Sequence, residues 1–335
     1  MSTQFSDTDP HYRPADPALW NGRIDDEEAL PALRWHQQTQ CISLASLPPV
    51  THQLVQLGFA CDAGVMRNKG RPGAVAGPDA LRGALCNLAC DQTLLFDAGT
   101  IACEGDQLEP AQASLASAVA RLRAAGAAPV VFGGGHEIAW GSFQGLMPEL
   151  NQYPHIGIVN FDAHLDLRRP EPAGSSGTPF RQIAEWCQQH QHPFHYLVVG
   201  ANQSANTDAL WQFASAQGVQ WLDDISAETA PATECYAVLD RFLAGVDALY
   251  ITVCMDVFNA AFAPGVSAPA AMGLSPGRFF HLFKHLLKLA HRHQKPVLLL
   301  DIAELNPHYD RDHQTAKLAA RIVWEYQTWR RQAAP

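Results

Sequence analysis

Short apolar runs alternate with helix-length amphipathic stretches along most of this 335-residue chain. Leu54–Cys61, Pro129–Phe132, Ile156–Phe161, Tyr196–Val199, Gln220–Leu222, Ala248–Met255 and Val297–Ala303 read as strands. Most are near-continuous blocks of Val, Ile, Leu and Phe, the pattern of strands covered on both faces. Between them, helical periodicity runs over Asp79–Leu88 after Gly77-Pro78, and over Ala111–Ala124 up to Gly126. It returns over His136–Leu146, Phe180–His190, Thr207–Gln217, Ala232–Ala244, Pro276–His293 and His313–Arg330. This alternation predicts an α/β fold, a three-layer α-β-α sandwich around a mostly parallel central sheet. The first 50 or so residues are rich in Pro, Asp and Gln and lack periodicity. They read as an N-terminal arm packed on a single domain of residues 51–335, with a short helix near Asp26–Trp35.

Composition narrows the class. Apolar content of 47% supports a large core, and a net charge of −10 argues against a nucleic-acid or anionic-membrane surface. No apolar run reaches the roughly 18 residues of a membrane span. The polar start MSTQFSDTDPHYRP lacks the apolar segment of a signal peptide, so a cytoplasmic location is expected. Eight scattered cysteines form no Cys-x-x-Cys pair and read as reduced core residues. His281, His285, His291 and His293 lie in a helical stretch and read as solvated.

The candidate chemistry follows the strands, because ligands of such sheets collect beyond the carboxyl ends. Gly133-Gly134-Gly135-His136-Glu137 follows the second run and Asp162-Ala163-His164-Leu165-Asp166 the third. Were the backbone to stay extended, Asp162, His164 and Asp166 would point to one side. Cys254-Met255-Asp256 and Glu304 end the last two runs. Each motif alone reads equally as a polar turn or a solvated acid. Together, His136, Asp162, His164, Asp166, Cys254 and Asp256 are too many ligands for one structural zinc. They suit two bridged divalent ions about 3.5–4 Å apart, which activate water for hydrolysis. Glu304 is placed to hold a cationic substrate group. Cys61 also ends a run; were its strand beside the one ending at Cys254, oxidation would join Cys61 to Cys254 and remove a ligand.

These residues resemble the ureohydrolase family of arginases, agmatinases and formimidoylglutamases. The resemblance rests on Gly134-Gly135-His136-Glu137, Asp162-Ala163-His164-Leu165-Asp166, and Thr252-Val253-Cys254-Met255-Asp256 with Ala263-Pro264-Gly265. It extends to Gly77-Pro78-Asp79-Ala80-Leu81-Arg82 and Asp301-Ile302-Ala303-Glu304-Leu305-Asn306-Pro307. The loops Gly64–Gly73 and Ser175–Phe180, and a cysteine at 254, are most similar to the formimidoylglutamase branch.

That resemblance implies an arginase-like fold, two Mn²⁺ ions per subunit (another divalent ion could compete at Cys254), and a homo-oligomer. It implies hydrolysis of N-formimidoyl-L-glutamate to L-glutamate and formamide, a step of histidine breakdown. His136 and Asp166 would hold one ion, His164 and Asp256 the other, with Asp162 and Cys254 bridging. Asp166 would carry the proton to the leaving amine and Glu304 would orient the amidinium. Arg168 stands where arginases carry a neutral Asn, and a guanidinium there grips a substrate carboxylate. Ser176 is a further candidate for substrate contact, as are Arg67, Asn68, Arg71 and Asn202, each of which reads equally as a residue that orders a loop. Phe180 is expected where arginases have a proton-shuttling histidine. Alternatives are another ureohydrolase, such as an agmatinase or guanidinobutyrase, and a non-catalytic metal-binding relative.

Overall fold

Every apolar run forms a strand, and three further strands join them in one ten-stranded sheet. The computed structural model describes residues 5–6, 8–27 and 31–333. The strands are β1 (Tyr12–Arg13), β2 (Thr39–Cys41), β3 (Leu54–Ala60), β4 (Leu95–Ala102), β5 (Ala128–Gly133), β6 (Ile156–Phe161), β7 (His195–Ala201), β8 (Gln220–Asp223), β9 (Ala248–Cys254) and β10 (Val297–Ala303). Their order is β1-β4-β3-β5-β10-β9-β6-β7-β8, with β2 also paired to β4. Only the β1–β4 pair is antiparallel. Tyr12–Arg13 and Thr39–Cys41 therefore add two short strands at one edge of the sheet.

Two hydrophobic cores flank the sheet, one on each face. Leu249, Ile251 and Val253 of β9 point into one, Ala248 and Tyr250 into the other, as strand alternation requires. Helices Gly77–Cys86, Ala232–Ala244, Pro276–Arg292 and Gln314–Ala333 pack on the first face; Leu108–Ala124, Ile138–Leu146 and Pro179–Gln189 pack on the second. Local chemistry sets their ends. Ser275 caps Pro276–Arg292 by accepting from Arg278 N, with Pro276 preset at the first helical position. No helix of the described residues is long and apolar enough to cross a membrane.

The row Phe132–Ile302–Val253–Phe161 is in register across β5, β10, β9 and β6. These four central strands are consecutive, and each is followed by one of the candidate motifs. The topology thus delivers His136, Glu304, Cys254, Asp256 and Asp162 to one stretch of sheet edge roughly 14 Å wide, three strand spacings.

Two expectations are corrected, and one long strand has no counterpart in the hydropathy pattern. Of the helix expected near Asp26–Trp35, residues 26–27 and 31–34 are not helical and residues 28–30 lie outside the described residues; the helix instead begins at Trp35 and ends at Gln38. β4 escapes a hydropathy reading because Asp97 and Gly99 interrupt it. Asp97 enters the sheet as half of a buried pair: Arg82 Nε and Nη2 donate to its two carboxylate oxygens, both at 2.9 Å. Asp97→Ala takes the bidentate partner from a buried guanidinium and leaves it only the exposed Asp79 as counter-ion. The expected cost is about 3–5 kcal/mol, read as a fall in the urea midpoint. Finally, β5 and β10 separate β3 from β9, so Cys61 and Cys254 are roughly 14 Å apart by strand spacing. A disulfide needs a Cα separation under about 7 Å; both cysteines are free, and the premise of that pairing fails.

Candidate metal centre

The glycine run before His136 exists because the chain passes its neighbours at backbone contact. A Cβ at Gly134 would lie 1.7 Å from the Cys61 carbonyl oxygen. Gly134 N donates to Phe59 O and Gly135 N to Cys61 O, while Glu304 N donates to Gly134 O. His136 is thereby locked between the ends of β3 and β10. Its backbone N donates to Glu304 Oε1 at 2.9 Å.

β6 stops at Phe161, so the second motif does not converge by strand alternation. The chain turns instead, and Asp166 takes φ +48°, a left-handed conformation costly for a non-glycine residue. Asn206 stabilises the turn with three bonds: Oδ1 accepts from Leu165 N, and Nδ2 donates to Ala163 O and Asn202 O. Glu304 also sits at positive φ (+66°). Strain at two polar strand ends facing one cavity is typical of a functional site.

The turn brings Asp162 between two imidazoles. His136 Nδ1 lies 2.9 Å from Asp162 Oδ2 and 2.9 Å from Asp166 Oδ2. His164 Nδ1 lies 3.1 Å from Asp256 Oδ2 and 3.5 Å from Asp162 Oδ1. Ligand-capable atoms of His136, Asp162 and Cys254, and of Asp162, His164 and Asp256, form two clusters within 4.8 Å that share Asp162. Behind them, His136 Nε2 is 3.0 Å from Thr252 Oγ1, and the Thr252 hydroxyl also contacts Asp301. Asp301 Oδ2 in turn accepts from Ser142 and Tyr250.

The electrostatics call for a cation. Asp162, Asp166, Asp256 and Glu304 converge with two imidazoles, and no Lys or Arg forms an ion pair with them among the described residues. Burial, then the charge of Asp162, pushes Asp166 up to about 6; burial raises Glu304 to about 7. Burial and Asp162 likewise raise Asp256, and burial keeps the Cys254 thiol protonated. Both imidazoles are raised although burial opposes it, because the neighbouring carboxylates outweigh desolvation. Protons thus stand in for missing positive charge. His136 Nδ1 and Asp256 Oδ1 are buried without a well-angled hydrogen bond. The donor set and these orphaned atoms fit a pair of divalent ions.

The other expected residues divide. A cavity of about 290 Å³ is lined by His136, His164, Asp166, Cys254 and Asp256 of the cluster, and by Glu304, Asn68, Lys69, Arg71, Arg168 and Ser176. Arg168 is exposed, and its guanidinium has no hydrogen bond or ion pair among the described residues. Arg71 lines the wall but donates to Val266 O and Ser267 O, fixing the loop that carries Ser267. Arg67 does not reach this cavity: Asp106 and Glu109 hold its guanidinium, which faces an adjoining space of about 990 Å³. Asn202 lines neither; its Oδ1 accepts from Ser204 N and Oγ and shapes a turn. Phe180 is core, edge-on to His136 and stacked on Tyr196, so the residue this loop presents to the cavity is Ser176. Ser267, which contacts Glu304 Oε2, and Asn206 also line this cavity and are not among the expected residues. Nothing in the local pattern distinguishes them from ordinary loop residues.

Comparison with known proteins agrees with this geometry. The model of the arginase family matches residues 52–328. A formimidoylglutamase of Ralstonia nicotianae is 46% identical, over 92% of this chain and 94% of its own length. One of Clostridium tetani is 40% identical, over 94% and 95%. Among solved structures, the formiminoglutamase of Trypanosoma cruzi with Mn²⁺ superposes with a TM-score of 0.69 at 28% identity, covering 83% of this chain and 91% of that one. The formimidoylglutamase of Bacillus subtilis shares the fold with a TM-score of 0.75 at 19% identity, covering 92% and 94%. A match running from β3 into the last helix, with relatives this similar over nearly their whole length, places the chain in the arginase family.

Proposed function

We propose that this chain is a manganese-dependent hydrolase that cleaves N-formimidoyl-L-glutamate to L-glutamate and formamide. Two features support the reading: the relatives above carry that activity in their names, and an unpaired Arg168 shares a cavity with the acidic cluster. Formimidoylglutamate offers two carboxylates to a cation on the wall, whereas agmatine offers none and arginine offers one beside an α-ammonium that the same cation repels.

His136, Asp162, Asp166 and Cys254 would hold one ion, and Asp162, His164, Cys254 and Asp256 the other. When bound, the ions supply Lewis acidity that makes a water nucleophilic near neutral pH. Asp166 accepts the proton of that water and passes it to the departing amine. Glu304, held by His136 N, orients the amidinium. Arg168 grips a carboxylate, with Ser176 and Asn68 beside it. The arm of residues 1–50 packs on the hydrolase domain of residues 51–335.

The test is formamide release by reduced protein supplied with Mn²⁺, against arginine and agmatine as competing substrates. Formamide from formimidoylglutamate with little urea from the other two is expected; urea as the main product would end the assignment. A second expectation concerns Thr252, whose hydroxyl accepts from His136 Nε2 when it donates to Asp301. That arrangement keeps Nδ1 unprotonated for a metal. Thr252→Val should weaken Mn²⁺ binding roughly 10- to 100-fold, measured by titrating metal into the apoprotein, while Thr252→Ser retains it.

A further inference from the structure

The sheet gives Cys61 a partner other than the one its position suggested. β3 and β4 are parallel neighbours in which Ala60 pairs with Ala102, and the next residue on each is a cysteine. Cys103 N donates to Ala60 O at 2.9 Å, so the pairing continues to the two cysteines. Both side chains pack on the same core face of the sheet, close enough for each thiol to perturb the other. Paired residues of adjacent strands lie roughly 4.8 Å apart, inside the Cα separation that a disulfide accepts.

We propose that Cys61 and Cys103 form a reversible oxidation site, which a hydroperoxide closes into a disulfide. Its effect on turnover rests on the proposed function; formation of the bond does not. The two cysteines divide the chemistry. Cys103 is partly exposed and Cys61 fully buried, so a solute reaches Cys103 first. The neighbouring Cys61 thiol lowers the Cys103 thiol pKa, against burial and with help from Arg67, and so favours the reactive thiolate. That thiolate attacks hydrogen peroxide, forming an S–O bond as the O–O bond breaks and hydroxide leaves. The Cys61 sulfur then attacks the Cys103 sulfur. An S–S bond forms, the S–O bond breaks, and the sulfenic oxygen leaves as water with the thiol proton. Two thiols lose two electrons, and one peroxide becomes two waters.

The bond would be felt at the cluster. Cys61 Sγ donates to Glu137 Oε1 at 3.4 Å, and the same oxygen accepts from Gly64 N at 2.8 Å. Glu137 is fully buried, its Oε2 has no hydrogen-bond partner, and it directly follows His136. Drawing Cys61 Sγ to Cys103 strips a donor from this carboxylate. It also pulls on the segment whose carbonyl holds Gly135 N.

The experiment treats the manganese-loaded protein with hydrogen peroxide. It then counts free thiols, maps unreduced peptides by mass spectrometry, and follows turnover before and after dithiothreitol. The expected result is a Cys61–Cys103 cross-linked peptide, two thiols lost per chain, and a several-fold fall in turnover that dithiothreitol restores. Cys103→Ser should keep basal turnover and lose the reversible inhibition. A cross-link through any other cysteine, irreversible oxidation without a cross-link, or unchanged sensitivity of Cys103→Ser overturns the proposal. If the reduced protein releases no formamide, the proposed function fails, and the peptide map still decides the cysteine pair.

Discussion

Asp162→Asn is expected to cost this protein its metal and nearly all of its turnover. Asp162 is the one carboxylate shared by both ligand clusters, with one oxygen toward each imidazole. Asn160 Nδ2 and His164 N hold those oxygens from behind, at 3.0 and 2.7 Å, so the side chain cannot swing away. The amide is nearly isosteric, so the fold should survive. An amide nitrogen, however, offers a cation no lone pair and no charge. Removing one partner from a buried charge network costs about 3–5 kcal/mol, a factor of roughly 10² to 10⁴ in a binding constant. Metal analysis after gel filtration should therefore find the variant depleted in manganese, with turnover reduced at least as far. Near-native metal content would mean that the two clusters do not hold the ions.

Much of this centre was legible because four of its motifs end consecutive parallel strands. An apolar block followed by a carboxylate, imidazole or thiol marks a strand end, and the α/β alternation places all such ends on one edge. What the pattern hides is the order of the strands. Cys61 and Cys254 both end apolar runs, yet β5 and β10 lie between them, and the neighbour of Cys61 is Cys103. The latter follows β4, which hydropathy conceals because Asp97 is neutralised by an arginine from a different element. Side-chain commitments are hidden in the same way. Arg67 and Arg168 are indistinguishable as letters near a motif, but only one of them is already bound to Asp106 and Glu109. Backbone reversal is the third hidden variable. Asp166 joins its partners through a left-handed turn, with Asn206 as the clamp some forty residues away.

Arg168→Asn should separate substrate recognition from metal binding. The guanidinium lies on the wall of the same 290 Å³ cavity as the cluster, and no acid neutralises it among the described residues. Of the other cations on this wall, Arg71 is committed to backbone carbonyls, which leaves only Lys69 against Asp166, Asp256 and Glu304. Charge-assisted hydrogen bonds contribute about 1.5–3 kcal/mol each, so kcat/KM for formimidoylglutamate should fall roughly 10- to 150-fold. Most of the loss should appear in KM if the grip is equal in ground and transition states. Manganese content should stay unchanged, because Arg168 is absent from both ligand clusters. Arg67→Ala is the control: its guanidinium is committed to Asp106 and Glu109, outside the cavity, and kcat/KM should move less than about threefold. Equal losses in the two variants would refer the effect to general positive charge near the entrance. A full loss in Arg168→Asn alone, with metal retained, ties substrate choice to this one side chain.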